Sequence, residues 1–241
     1  MRNLFLTLEY DGTNYHGFQI QPNAITIQGV LENAIKEIFK EDITVTGCSR
    51  TDAGVHAKKY VCSFFTECKI PCEKVPIALN TKLPYDIRAI LCKEVDENFH
   101  ARFDTVSKTY NYVINNREFD VFKRNYSWYV DAKLDVEKMN NAAKYFIGKH
   151  DFKSFMTGEK DNTEREVFSL DVEEKDGFIN IFITADGYLY NMVRIITGTL
   201  KMVGEGKLNS EDIKHIIDAK DRTKAGVTAP PQGLYLYDVK Y

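Results

Sequence analysis

The chain has 241 residues, 44% of them hydrophobic and 28% charged, a balance that excludes a largely disordered polypeptide. No apolar run approaches the roughly 20 residues of a membrane helix, and MRNLFLTLEYDG has too few apolar residues before Glu9 for a signal peptide, so a cytoplasmic protein is expected. The net charge of −3 gives no global basic footprint for nucleic acid, although a local cluster can outweigh the average field.

LFLTLEY alternates, with Leu4, Leu6 and Leu8 on one face, and predicts a half-buried strand ending at Asp11-Gly12. Ile27, Val30, Leu31, Ala34, Ile35, Ile38 and Phe39 recur at helical spacing and predict an amphipathic helix capped by Thr26. ITVTG and KKYVCSFFTE read as strands on either side of the polar segment CSRTDAGVHA. A short helix around Val75, Ala78 and Leu79 leads to a strand at IRAILCKEV, which completes a first α+β unit over residues 1–103.

A second unit, 104–241, repeats that grammar. KTYNYVINN predicts a strand with Tyr110, Tyr112 and Ile114 on one side. Val136, Met139, Ala143, Phe146 and Ile147 mark a helix capped by Asp135. Asp176-Gly177 between two β-rich runs predicts a hairpin. Asn191 to Val203 reads as a helix, Asn209-Ser210 opens a short one bearing Ile213, Ile216 and Ile217, and GLYLYDVKY closes as a strand. Strands interleaved with helices, without a regular βαβ rhythm, predict an α+β fold of two similar, pseudo-duplicated units with a cleft between them. Each unit is expected to be a mixed, mainly antiparallel sheet with helices on one side.

Five cysteines (Cys48, Cys62, Cys68, Cys72, Cys92) are an odd number without paired zinc spacing, and the five histidines include no HExxH pair. Free thiols and no metal site are expected. The densest polar segment is Ser49-Arg50-Thr51-Asp52-Ala53-Gly54-Val55-His56-Ala57, which gathers a guanidinium, a hydroxyl, a carboxylate and an imidazole around a glycine between two strands. Loops on a rigid scaffold are where catalytic groups tend to sit. From chemistry alone, Asp52 could equally cap a turn through its own backbone.

The string RTDAGVHA resembles the catalytic motif of the tRNA pseudouridine synthase A family. YDGTNYHGFQIQ, TIQGVLENAI, LNTKLPYDI, FHARF, HDFKSF, MVRIITGTL and APPQGLYL resemble further blocks of that family, in its order, from about Leu4 to Tyr237. The resemblance implies an isomerase without cofactor or catalytic metal, converting uridine to pseudouridine at positions 38 to 40 of the tRNA anticodon stem-loop. It also implies a homodimer, with the RNA bound in the central cleft.

Carried over by motif, Asp52 is the catalytic carboxylate, which attacks the ribose or takes up a ribose proton. Tyr110 in KTYNY matches the active-site tyrosine, placed to stack on uracil and take part in proton transfer at C5. Without the resemblance it reads as an inward-facing strand tyrosine, as Tyr112 does. Arg194 in MVRIITG matches the arginine paired with that carboxylate, and its apolar neighbours already argue for a partner, because a lone buried charge is costly. Arg50 matches the residue that helps turn the uridine out of the stem. Arg102 and His100 in FHARF match a block for loop support or RNA contact, and His56 and Thr51 shape the loop, with His56 also a candidate substrate contact. Lys58-Lys59, Lys123-Arg124, Lys149 with Lys153, and Arg222 with Lys224 are local basic clusters for phosphate.

The chain departs from the family pattern in two places: Cys48-Ser49 precedes Arg50 where a Gly is usual, and Tyr190-Asn191 stands where His is frequent. Within the family, the alternative is a paralogue acting on another tRNA uridine. Outside it, Leu8-Glu9-Tyr10-Asp11-Gly12-Thr13 is close to the phosphotransferase signature of haloacid-dehalogenase-like enzymes. Those require an Asp at the position of Glu9 and a parallel βαβ fold, and magnesium dependence would separate them.

Overall fold

A computed structural model describes all residues from Met1 to Tyr241. The chain forms two compact units, Met1–Val106 with Tyr235–Tyr241, and Ser107–Leu234. Both combine a sheet with helices, the α+β class expected.

In the first unit, β1 (Arg2–Tyr10) is followed by α1 (Ile27–Phe39), β2 (Thr46–Gly47), β3 (His56–Thr66), α2 (Val75–Asn80) and β4 (Ile87–Val95). β1 lies between β3 and β4, antiparallel to both. Leu4, Leu6 and Leu8 are fully buried. Each contributes roughly 2 kcal/mol by leaving water, and a one-residue slip would put Asn3 and Thr7 in their place, so this row fixes the register. α1 covers the same face: its Phe39 ring meets Phe64, the β3 residue opposite Leu4, at 6.0 Å. Thr26 caps α1 as expected, its side chain accepting from the Gly29 amide. On the other face of β1, Phe5 packs against Phe99 and Tyr241 at 5.6 and 5.4 Å.

The second unit runs β5 (Ser107–Asn115), β6 (Trp128–Tyr129), α3 (Val136–Ala143), β7 (Gly148–Asp151), β8 (Glu164–Lys175), β9 (Phe178–Ala185), α4 (Met192–Gly204) and α5 (Asp212–Ala219). Its sheet order is β5-β9-β8-β7, antiparallel throughout, with β6 parallel to β5. Tyr110, Tyr112 and Ile114 face Ile183, Ile181 and Ile179 across the β5–β9 pair, and all six are buried. The β8–β9 turn is the expected hairpin, with Asp176 and Gly177 at φ 53 and 75. Both angles positive is what a tight two-residue turn on a twisted ladder requires. α3 is shorter than expected. Asp135 caps it, but the α-helix stops at Ala143, Phe146 lies in a following 3₁₀ turn, and Ile147 is exposed beyond it.

The closing strand β10 (Leu234–Lys240) departs from the expected boundary, which put residues 104–241 together. Tyr235 and Leu236 pair in parallel with His56 and Ala57 of β3. The Val106 amide donates to the Lys240 carbonyl at 2.8 Å, and the Tyr241 hydroxyl donates to the Ala101 carbonyl at 2.7 Å. These bonds tie the C-terminus to the first unit.

Candidate active site

The Asp52 loop hangs between β2 and β3, and the end of β1 shapes it. Leu8 of β1 faces Tyr60, but Tyr10 faces Ala57, a bulge that turns the strand end. Residues 11–18 then double back along the loop. The Phe18 amide donates to the Thr51 carbonyl at 3.1 Å, and the Gly54 amide to the Tyr15 carbonyl at 3.2 Å. So close an approach needs glycine. A Cβ on Gly12 would overlap the Val55 backbone, and one on Gly17, at φ +84, would overlap the Thr51 carbonyl. The Tyr10 hydroxyl and Thr51 Oγ1 share a buried hydrogen bond of 2.8 Å one residue before Asp52. The Val55 amide closes the turn on the Asp52 carbonyl at 3.2 Å, with Gly54 at φ 76. Asp52 itself is half-buried and Arg50 is exposed.

His56 opens β3 with 2% of its surface exposed. The Gly12 amide donates to its Nδ1 at 3.0 Å, and Asp11 Oδ1, which accepts from the Thr13 amide and hydroxyl, lies 3.1 Å from the same nitrogen. The ring stacks on Tyr235 at 4.7 Å. In FHARF, His100 Nδ1 accepts from the Arg102 and Phe103 amides at 3.1 and 3.2 Å, and its ring stacks on Phe103 at 4.2 Å. The same turn leaves Arg102 exposed. The first unit thus gathers Arg50, Asp52 and His56 on one loop, with Arg102 on another.

Tyr110 and Arg194 belong to the second unit. Tyr110 is 6% exposed and meets the edge of Tyr188 at 4.8 Å. Burial pushes the Tyr188 phenol up, so it stays protonated, and its hydroxyl lies 2.8 Å from both the Lys108 and Ile183 carbonyls. Tyr188 is thereby fixed as a brace for Tyr110. Tyr112 is fully buried, its hydroxyl donating to the Pro230 carbonyl at 2.6 Å.

Arg194 stands in the first turn of α4, after Asn191 at φ 64. Its Nε donates to the Ala229 carbonyl at 2.6 Å and its Nη1 to Asn191 Oδ1 at 2.8 Å, while the Ala229 amide returns a bond to the Arg194 carbonyl at 3.1 Å. The strap bearing Ala229 lies directly on the helix. A Cβ on Gly198 would overlap the Val227 carbonyl, and the Gly226 amide donates to Thr199 Oγ1 at 2.9 Å.

A family profile described as tRNA pseudouridine synthase matches residues 7–104 and 142–241. Over the full length of both chains, the sequence is 51% identical to tRNA pseudouridine synthase A of Thermoanaerobacter sp. (strain X514) and 51% identical to tRNA pseudouridine synthase A 2 of Clostridium perfringens (strain 13 / Type A). The chain belongs to the tRNA pseudouridine synthase A family. It is therefore an isomerase of the pseudouridine-forming kind. A crystal structure of an archaeal box H/ACA sRNP Nop10–Cbf5 complex covers 83% of this chain and 42% of that one, at a TM-score of 0.39 and 10% identity, too distant a likeness to bear on the site.

Several supporting residues of this synthase-family chain were not singled out from sequence. Tyr188 looks like any strand-adjacent tyrosine. In the sequence Asn191 marks a helix start and a departure from the family, and neither shows that it holds the Arg194 guanidinium. The Ala229 carbonyl carries no side-chain signal at all.

Proposed function

We propose that this chain isomerises uridine to pseudouridine at positions 38 to 40 of the tRNA anticodon stem-loop, with Asp52 as the catalytic carboxylate. The reaction must break the N-glycosidic bond, turn the uracil and join C5 to C1′. The observation that carries the reading is a half-buried carboxylate on an RTDAGVHA loop pinned by backbone bonds on both sides. A loop so fixed keeps its carboxylate in one orientation without spending binding energy at the moment of reaction.

In this reading Asp52 attacks the ribose or takes up a ribose proton, which lets the glycosidic bond break. The Arg194 guanidinium serves the Asp52 carboxylate, favouring its ionised form and its orientation. Tyr110 stacks on the uracil and takes part in the C5 proton transfer. Arg50, exposed beside Asp52, fills the gap left by the extruded base. Arg102 contacts phosphate, and His56, with 2% exposure, supports the loop rather than the RNA. The first unit carries the carboxylate and the second the tyrosine and arginine. The active species is a homodimer that works on tRNA in the cytoplasm. No helix is long and apolar enough to cross a membrane.

The test is pseudouridine mapping of unmodified tRNAs incubated with the purified protein. New pseudouridine confined to positions 38 to 40 is the expected result. Pseudouridine at another uridine would favour the paralogous specificity instead.

A further inference from the structure

Asn191 is the residue before α4, and it does not behave as an ordinary helix cap. An asparagine in that position normally has extended backbone and turns its side-chain oxygen onto the amides of the first turn. Here Asn191 is left-handed, at φ 64 and ψ 6, and its side chain makes no capping bond. Its backbone still serves the helix, since the Asn191 carbonyl accepts from the Ile195 amide at 2.9 Å. The side chain is used elsewhere. Oδ1 accepts from Arg194 Nη1 at 2.8 Å, and Nδ2 donates to Thr157 Oγ1 at 3.1 Å. Thr157 is fixed in turn, its amide donating to the Tyr190 carbonyl at 3.1 Å. The two ends of the Asn191 amide therefore have different jobs, and a flipped amide would aim a donor at a guanidinium that accepts nothing.

We propose that Asn191 is a positioning residue for the isomerisation: held by Thr157, its amide sets the orientation in which the Arg194 guanidinium serves the Asp52 carboxylate. The proposal rests on the reading above, in which Arg194 serves Asp52. The decisive property of the amide is that it is neutral. The Ala229 carbonyl and Asn191 Oδ1 fix two of the guanidinium nitrogens without cancelling the charge, which is left to act on a carboxylate. A carboxylate at position 191 would hold the arginine as firmly, but as its ion-pair partner.

The surroundings keep that charge available. Tyr112 of β5 is the titratable group of this unit on which Arg194 acts, and burial pushes its phenol up against the opposing effect of the guanidinium, so it stays protonated and brings no negative charge. Its hydroxyl donates to the Pro230 carbonyl, next to the Ala229 carbonyl that takes Arg194 Nε. The left-handed backbone narrows the choice of residue further, because asparagine, aspartate and histidine tolerate it better than other residues with a Cβ.

The experiment centres on Asn191→Asp in the full-length protein. This variant keeps the shape and the tolerance for left-handed backbone, and a negative charge at a helix N-terminus is favourable, so thermal melting should be unchanged or raised. Single-turnover pseudouridine formation on one tRNA should nevertheless fall about tenfold, with tRNA binding within about a few-fold of wild type. The acidic limb of the pH–rate profile should move to higher pH, because an Arg194 engaged by a second carboxylate no longer keeps Asp52 ionised as pH falls. Thr157→Val should lower the rate by less, and Thr157→Ser should restore it. In an Arg194→Met background, Asn191→Asp should cause no further loss. A wild-type rate with an unmoved acidic limb in Asn191→Asp would overturn the proposal, as would full additivity with Arg194→Met. Arg194→Met alone separates the two failures. Where it moves the limb and Asn191→Asp does not, only the role of Asn191 falls. Where it moves nothing, the service of Arg194 to Asp52 falls first and takes the proposal with it.

Discussion

At the scale of single residues, Arg194 places a cation in an apolar stretch of helix. It stands in the first turn of α4 among Met192, Val193, Ile195 and Ile196, where the helix dipole disfavours a cation. Its Nε and Nη1 donate to two neutral oxygens, which fix its position. If it serves Asp52, Arg194→Met should lower turnover at every pH and move the acidic limb of the pH–rate profile to higher pH. The sign follows because a guanidinium partner holds a carboxyl below its ordinary range, so the ionised site persists to lower pH, and without it the site protonates sooner. Single-turnover profiles on one tRNA decide this, and an unmoved acidic limb would remove the pairing. The two strand tyrosines provide a matched comparison. Tyr112→Phe loses only the bond to Pro230 and should cost about 1 kcal/mol of stability, read by denaturant melts, with chemistry intact. Tyr110→Phe should slow the chemical step, read by single-turnover kinetics. That difference was not legible in KTYNY, where the two tyrosines occupy equivalent strand positions.

At the scale of elements, the legible parts were those whose signal is local. Thr26 and Asp135 mark helix starts, and Asp176-Gly177 marks a turn, because each satisfies backbone geometry within a few residues. ITVTG was read as a strand but only Thr46 and Gly47 pair with β3. The Val45 amide and carbonyl go instead to the Glu32 and Gln28 side chains of α1, partners far away in sequence. β7 was missed for a similar reason: GKHD has no apolar alternation, and its strand form depends on pairing with β8. Asp151 at its end shows what holds that corner. Burial pushes its carboxyl up, but bonds from Lys220, Thr163 and the Lys153 amide outweigh this and hold it below the ordinary range. It therefore adds stability above its unfolded pKa, and that stability is lost as pH falls through the folded value. Asp151→Asn should cost about 1 kcal/mol at neutral pH, with the gap to wild type closing in acid. Parallel thermal melts across pH check this, and a pH-independent gap would contradict it.

At the scale of the whole molecule, composition and element order were enough for the α+β class and for two units, but not for the closing strand, whose pairing with β3 spans most of the chain. A chain of net charge −3 that binds tRNA needs its cations gathered locally. The proposed homodimer, if its two copies combine their basic clusters into one track, should sediment as a dimer, and its tRNA affinity should fall steeply with salt, with a log–log slope that counts neutralised phosphates. A salt-insensitive monomer of full activity would defeat both expectations. No three His, Cys, Asp or Glu side chains are grouped to hold a metal ion, and turnover on folded tRNA should survive chelation apart from the magnesium the RNA needs. The most direct test of the central claim is Asp52→Asn, which keeps the side chain's shape and removes its charge and most of its nucleophilicity. Single-turnover pseudouridine formation at positions 38 to 40 should be abolished, with tRNA binding within about a few-fold of wild type. A near-normal rate from this variant would contradict the assignment of Asp52 as the catalytic carboxylate.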